Sequence, residues 1–379
     1  MRSVPDYPAY KTARPPGTAR WLSATALLVL IGGGAGGLLP SAKSNSSLVA
    51  TVILVILLLS VTGWLVRLLY YRVSLHNAAF YNQLVAYEQK RWWAAHRQAF
   101  WLKEGLLLGP AGTRSVDWLR VLNREQRPPE EKKEGGGSAL RLPQISVMDP
   151  IAREKRLAEL LVIEWQKQRG EENLTPPLRC YWQGADIVWQ AFRAQMVIAF
   201  PDIALPARPE PWQGEASLAE IAGELAGAKP DDTILIAGCQ VIAPQSGTER
   251  PAGESAALWL AGLNGTVQLT RGETFSPEQG DILLTVFARA LEQSELNEPP
   301  EACTLFSRPG LEVLANNGWD VSQHLQDANW GEIGDMETLI VLSLAAIYAA
   351  HHQQPCGWIA RDPMNTLATG IVKPDGQRQ

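Results

Sequence analysis

Two apolar runs near the start set the plan of this 379-residue chain. Residues 21–39 and 48–66 carry no charged side chain, and a polar piece, Pro40 to Ser47, separates them. At ~1.5 Å of rise per residue, each run is about long enough to cross the ~30 Å hydrocarbon layer of a bilayer as a helix. Val52, Ile53, Val55 and Ile56 favour strand in water. In lipid, however, a segment must satisfy its own N–H and C=O groups, so the pattern predicts a transmembrane α-hairpin over 21–72. Gly32 with Gly36, and Gly33 with Gly37, have the small-xxx-small spacing that lets a neighbouring helix pack closely within a membrane. A basic N-terminal side also suits a cleaved signal peptide. The glycine-rich end, the lack of a small-x-small cleavage site and the second run favour a retained span.

Around this hairpin the pattern changes. Residues 1–20 hold Pro5, Pro8, Pro15 and Pro16 among polar residues and read as a loose tail. From Leu68 to Lys103, apolar Leu75, Ala79, Leu84, Tyr87, Trp92 and Phe100 alternate with polar residues at helical spacing, a wetter continuation of the second span. Residues 73–126 are thus expected to be a juxtamembrane helical region, with Trp101 and Trp118 in a small core and a short strand near Gly105 to Pro110. Arg127 to Ser138 is charged, proline-bearing and glycine-rich with nothing to bury, and reads as a linker.

Residues 139–379 are of another kind. Helical spacing is predicted over Arg153 to Arg169, Ser217 to Ala228, Pro277 to Gln293 and Asp335 to Ala350. Strand-length apolar runs lie at Leu178 to Trp182, Val197 to Phe200, Thr233 to Ala237, Ser255 to Gly262 and Val267 to Thr270. Trp358 to Ala360 and Leu367 to Lys373 form a hairpin around Asp362-Pro363-Met364-Asn365. This alternation indicates a layered α/β domain.

Charge orients the chain. Arg2, Lys11, Arg14 and Arg20 precede the first run, Arg67 and Arg72 follow the second, and Lys43 alone lies between, so both ends are expected in the cytoplasm. The implied location is a bacterial inner membrane, with the lipid bilayer as one partner. The net charge of −5 is mild, and no basic cluster with interleaved aromatics points to nucleic acid. Cys180, Cys239, Cys303 and Cys356 are far apart and form no metal-ligand pattern, so free thiols and no metal are expected. No phosphate-loop or nucleophile-elbow motif occurs, and no cofactor is implied.

Three segments carry a resemblance: Asp231-Asp232-Thr-Ile-Leu-Ile-Ala-Gly-Cys239, Arg250-Pro-Ala-Gly-Glu-Ser-Ala-Ala-Leu-Trp-Leu260, and Gly334-Asp335 opening a long apolar helix. Together they resemble the thiolase-like superfamily, especially β-ketoacyl synthases, which implies a thiolase-like α/β fold over residues 140–374. The residues themselves give Gly253, Glu254, Gly334 and Asp335 architectural tasks: Gly253 a backbone conformation closed to other residues, Glu254 acceptance of backbone N–H bonds.

Ketoacyl synthases carry an acyl-accepting cysteine at the start of a buried helix in their first half, and two histidines, or a histidine and an asparagine, in the second. The chemistry needs a thiolate and groups that polarise a thioester. Here Cys180 lies at an apparent strand, Cys239 falls just after a strand where the family has an acidic or small residue, and His324 lacks the His-Gly-Thr context. His351 and His352 sit at a helix end, where a positive imidazole suits the dipole. The one conceivable dyad is Cys239 with His324. The region after the linker, roughly 240 residues, is short for two full halves, which implies lost catalytic loops. The chain is therefore expected to be a membrane-anchored, non-catalytic adaptor or scaffold whose cytoplasmic domain binds a protein partner. Accessory proteins of bacterial secretion machines, type VI loci included, have this general look. Self-association is compatible with the reading. The alternative is a membrane-bound enzyme transferring or condensing acyl thioesters.

Overall fold

In this computed structural model, residues 4–38, 46–170 and 174–376 are described, with the side chains of 35–38 and 46 left aside. The chain forms two compact units that divide between Trp93 and Ala94.

The first unit holds α1 (Thr18–Leu38) and most of α2 (Ser46–His96). The second apolar run and its wetter continuation are one 51-residue helix. It ends at His96, not Lys103, because residues from Ala99 on have strand partners. α2 is the one helix among the described residues long and apolar enough to cross a membrane; α1 contributes a shorter apolar stretch, Thr18–Gly34. The two helices pack closely. A β-carbon on Gly32 would lie 2.8 Å from Ile56 Cδ1 and one on Gly33 3.8 Å from Ile53 Cδ1, while Gly63 faces the Trp21 ring at 3.3 Å. The packing of Gly36 and Gly37, and most of the polar piece between the runs, lie outside the described residues.

The tail expected to be loose lies along α2. Tyr81 Oη donates to Pro8 O at 3.0 Å, Gln89 Nε2 to Pro5 O at 3.3 Å, and Ala13 N–H to Ser74 Oγ at 2.9 Å. Prolines hold the segment extended and expose carbonyls as acceptors, which long polar side chains of the helix can reach.

The second unit is built on a ten-stranded sheet. In chain order its elements are β1 (Ala99–Leu108), α3 (Ser115–Leu122), β2 (Lys132–Glu134), β3 (Gly137–Ala139), α4 (Pro150–Arg169), β4 (Arg179–Gln183), α5 (Asp186–Ala199), β5 (Glu210–Pro211) and α6 (Glu215–Leu225). There follow β6 (Ile234–Val241), β7 (Glu254–Gly262), β8 (Val267–Thr270), β9 (Glu273–Phe275), α7 (Leu283–Gln293), β10 (Ala302–Leu305), α8 (Glu312–Ala315), α9 (Asp327–Trp330), α10 (Glu337–His352), β11 (Cys356–Asp362) and β12 (Asn365–Pro374). The sheet order is β10-β11-β12-β8-β1-β7-β6-β4-β5, with β9 added on β12.

This order is a duplication. In one half β4 is parallel to β6, β6 antiparallel to β7, and β7 antiparallel to β1. In the other, β10, β11, β12 and β8 repeat the same sequence of directions. The halves meet where β1 runs antiparallel to β8.

Strand alternation sorts side chains into layers. Ala257, Trp259, Ile234, Ile236, Trp358 and Ala368 face one side, where α3, α6 and α10 lie across both halves. Leu258, Leu235 and Cys239 face the other, under α4 and α5, and Ile359 and Ile371 pack under α7 and α8. α10 is apolar on every side because it is buried on nearly every side.

Several expectations need correction. The strand at Gly105 to Pro110 belongs to β1 at the middle of the sheet, so residues 99–126 are part of the α/β unit and not of a juxtamembrane subdomain. Trp118 is buried in that unit's core, stacked on Trp330 at 4.7 Å, while Trp101 is half-buried. The segment 127–138 joins parts of one unit. It contains the hairpin β2–β3, turned by Gly135 at φ 45° and tied down by the Arg141–Glu134 pair at 2.9 Å and by Ala252 N–H to Ser138 O at 2.9 Å. Val197 to Phe200 is the end of α5 and not a strand, because Val188, Trp189, Phe192 and Met196 bury one helical face.

Glu254 opens β7 fully buried. It takes Arg153 in a fork, with Nε to Oε2 at 2.5 Å and Nη2 to Oε1 at 2.9 Å, and accepts Leu142 N–H. Arg153 also donates to Ile145 O and Val147 O. Gly253 beside it is not in the left-handed region. It must be glycine because a β-carbon would meet the carbonyls of Trp330 and Glu332. The pair thus clamps α4 to the start of β7, and Glu254→Ala would leave a buried guanidinium unpaired. It is expected to destabilise the domain by about 3–5 kcal/mol, read as a fall in thermal midpoint.

Candidate functional site

The four cysteines all lie on strands, and all are buried: Cys180 on β4, Cys239 on β6, Cys303 on β10 and Cys356 on β11. Burial raises each thiol above its ordinary range, and Cys239 also feels the Glu154 carboxylate. A buried thiol of raised pKa is a poor nucleophile.

The structure does not bring Cys239 and His324 together. Cys239 faces α4, its Sγ 3.7 Å from Glu154 O. His324 stacks edge-on against Tyr348 of α10, in the layer on the opposite face of the sheet, with Asp320 Oδ2 at 4.0 Å. Burial lowers the His324 pKa more than Asp320 raises it. His352, at the end of α10, contacts Tyr348 and lies 3.2 Å from Asn123 Oδ1. Gly334 sits at φ 56° against the Gln240 amide, and Asp335 N–H donates to Gln240 Oε1 at 3.1 Å, so this motif joins the start of α10 to β6. Among the described residues no group of three His, Cys, Asp or Glu side chains is arranged to hold a metal ion.

α6 buries one face, Leu218, Ile221, Ala222 and Leu225, in the layer shared by the two halves, and its start is where the halves exchange polar groups. It opens at Gly214-Glu215 with no cysteine. Glu215 is held by Arg271, from the turn after β8, with Nε at 2.7 Å and Nη2 at 2.6 Å from Oε1. Asp362, the last residue of β11, accepts Glu215 N–H at 3.0 Å, and its other oxygen takes Met364 N–H and Asn365 Nδ2. Gly214, at φ 62°, lies so near that a β-carbon there would collide with the Asp362 carboxylate and the Pro363 ring. Two carboxylates at a helix N-terminus suit its dipole.

The network continues inward. Glu273 on β9, 3 % exposed, meets Arg289 Nε at 3.1 Å and lies 3.6 Å from His96 Nε2. Burial pushes its carboxyl up to about 7 against the pull of Arg289 and Arg271. This arrangement joins elements of both halves through paired charges. Sequence reasoning passed over Glu215, Arg271 and Asp362 because nothing in the chain marks them as neighbours. The available signal was Gly214 and Gly272 beside charged residues, both at positive φ.

A second feature is a cleft of about 360 Å³ bounded by β1, α3 and α10 and lined by Leu107, Leu119, Trp259, Ala346 and Ile347. Its one buried hydroxyl, Ser343, accepts Trp259 Nε1 at 2.7 Å and donates to Leu339 O at 2.6 Å.

No protein-family model and no curated protein sequence matches the chain. Solved structures do. The ishigamide ketosynthase/chain length factor aligns with a TM-score of 0.51 at 11 % identity over 74 % of this chain and 100 % of its own. The ketosynthase from module 6 of the Bacillus subtilis bacillaene synthase gives 0.49 at 11 % identity over 74 % and 71 %. An HMG-CoA synthase complexed with CoA gives 0.41 at 10 % identity over 73 % and 82 %. The first of these, with the mixed duplicated sheet, establishes a thiolase-like α/β fold, and at such identity it establishes the fold alone.

Glu273 gives a measurable signature. Its folded pKa lies above the unfolded value, so its contribution to stability is full below about pH 4.5 and is lost as pH rises through about 7. The stability of the wild-type protein minus that of Glu273→Gln is therefore expected to fall between pH 5 and 7.5, a range checked by thermal unfolding at each pH. A flat difference would refute the assignment.

Proposed function

We propose that this chain is a membrane-attached, non-catalytic thiolase-like protein that binds a protein partner through its α/β unit, as an accessory of a bacterial envelope or secretion machine. The observation that carries this reading is the start of α6. The resemblance implies an acyl-accepting cysteine at the start of a helix in the first half; α6, which leads from β5 to β6 there, starts instead with Glu215, paired with Arg271 and with its N–H bonded to Asp362. Condensation needs a thiolate that accepts the acyl group and donors that polarise the thioester. A carboxylate bound to a guanidinium does neither, and the thiols are strand residues of the core.

Attachment rests on α2, whose apolar N-terminal half has the length of a bilayer crossing. With α1 packed against it through Gly32 and Gly33, the pair suits a hairpin that leaves both chain ends on the cytoplasmic face, the side to which the basic flanks belong. A fold of this size without its chemistry is kept for its surface, which makes a protein partner the fitting ligand.

Full-length protein in detergent, incubated with an acyl thioester probe, is expected to remain unacylated, as is Cys239→Ala. Stoichiometric acylation of the wild-type chain that disappears in Cys239→Ala would establish the acyl-transferring enzyme instead.

A further inference from the structure

Beyond the lipid-length part of α2, one side of the helix is covered and the other is not. Arg67, Ser74, Tyr81 and Gln89 bond the N-terminal tail, and Ser74 and Ala78 are buried beneath it. Away from the tail, Val66, Tyr70, Val73, Asn77, Phe80, Leu84 and Tyr87 follow one another at alternating steps of four and three residues. All seven are exposed, the six large apolar ones between 47 and 64 %. Steps of four and three are the heptad repeat of a helix that faces another helix, with Tyr70, Asn77 and Leu84 at one core position and Val66, Val73, Phe80 and Tyr87 at the other.

We infer that this stripe is the seam of a parallel homodimer, in which α2 pairs with α2 of a second copy of the chain. A heptad stripe needs a partner with the same repeat, and α2 has one. Asn77, the single polar residue of the seam, is paired when it meets Asn77 of the second copy, since each amide offers a donor and an acceptor; that fixes parallel pairing in register. The flanking positions agree. On one flank stand Leu69, His76 and Gln83, and on the other Ser74 and Tyr81 are held by the tail, so no row of like charges borders the seam. With 47 to 64 % of each of the six apolar side chains still exposed, the seam has roughly 500 Å² of apolar surface per helix to remove, about 1,000 Å² for the pair, the threshold for a specific interface. The membrane reading enters only through direction: two copies whose α2 enters the same bilayer from the same side are already parallel.

The test is disulfide trapping of the full-length protein in native membranes. The four native thiols are buried and give little background. Val73→Cys and Phe80→Cys, on the seam, are expected to form a disulfide-linked species of twice the chain mass on mild oxidation, whereas Leu75→Cys and Asn82→Cys, on the outer side, are not. A second measurement, mass in detergent, is expected to give a dimer for the wild-type chain and a monomer for Asn77→Lys. Trapping from the outer positions as readily as from the seam, a trapped product containing a different protein, or a monomeric wild-type chain would each overturn the inference. These readouts are independent of acylation, so the proposed function and the dimer fail or stand separately.

Discussion

Four residue pairs, Ala99–Leu102 against Val267–Thr270, join the two halves of the sheet. Each half has an apolar face that needs a cover, and the strand pairing sets both faces against one set of helices. α6 from the first half and α10 from the second, with α3, fill that shared layer. α10 therefore has no polar side: nearly every residue from Thr338 to Ala346 touches sheet or helix. The outer layers are smaller and separate, one under α4 and α5, the other under α7 and α8.

This arrangement also creates the polar centre of the unit. The start of α6 projects toward the turn after β8 and the turn between β11 and β12, so first-half Glu215 meets second-half Arg271 and Asp362. The position is suited to chemistry in general, because a helix N-terminus favours negative charge and two halves of a chain supply groups independently. In this chain the groups neutralise each other. The paired groups hold the two halves together at this point.

A second clamp works at the other end of the first half. Arg153 and Arg141 are both buried, and their guanidinium groups satisfy the carbonyls of Leu142, Ile145, Val147, Ile242 and Gly253 as well as the Glu254 and Glu134 carboxylates. Irregular backbone cannot be buried unless its polar groups find partners. The two arginines provide them, which is why the glycine-rich segment before α4 is ordered against β7.

The sequence by itself determined what depends on neighbours along the chain. The apolar lengths of α1 and α2, the periodicity of α4, α6 and α10, and the turn at Asp362-Pro363 all follow from local spacing, and the Pro-Ala-Gly-Glu segment was legible as a tight junction into a strand. Tertiary structure decided what depends on distant partners. β1 looked like a juxtamembrane fragment because its strand partners lie some 150 residues later, and β-pairing carries no sequence mark of its partner. The hairpin at 132–139 looked like a linker because its anchor, Arg141, depends on the carbonyls of Ile242, just after β6, and Gly253, just before β7. Val197 to Phe200 looked like a strand because β-branched residues favour one, and only the burial of α5 overrides that preference. Glu215, Arg271 and Asp362 became a site only when the two halves met, since a charge network is a property of distances in space and spacing along a chain does not encode it.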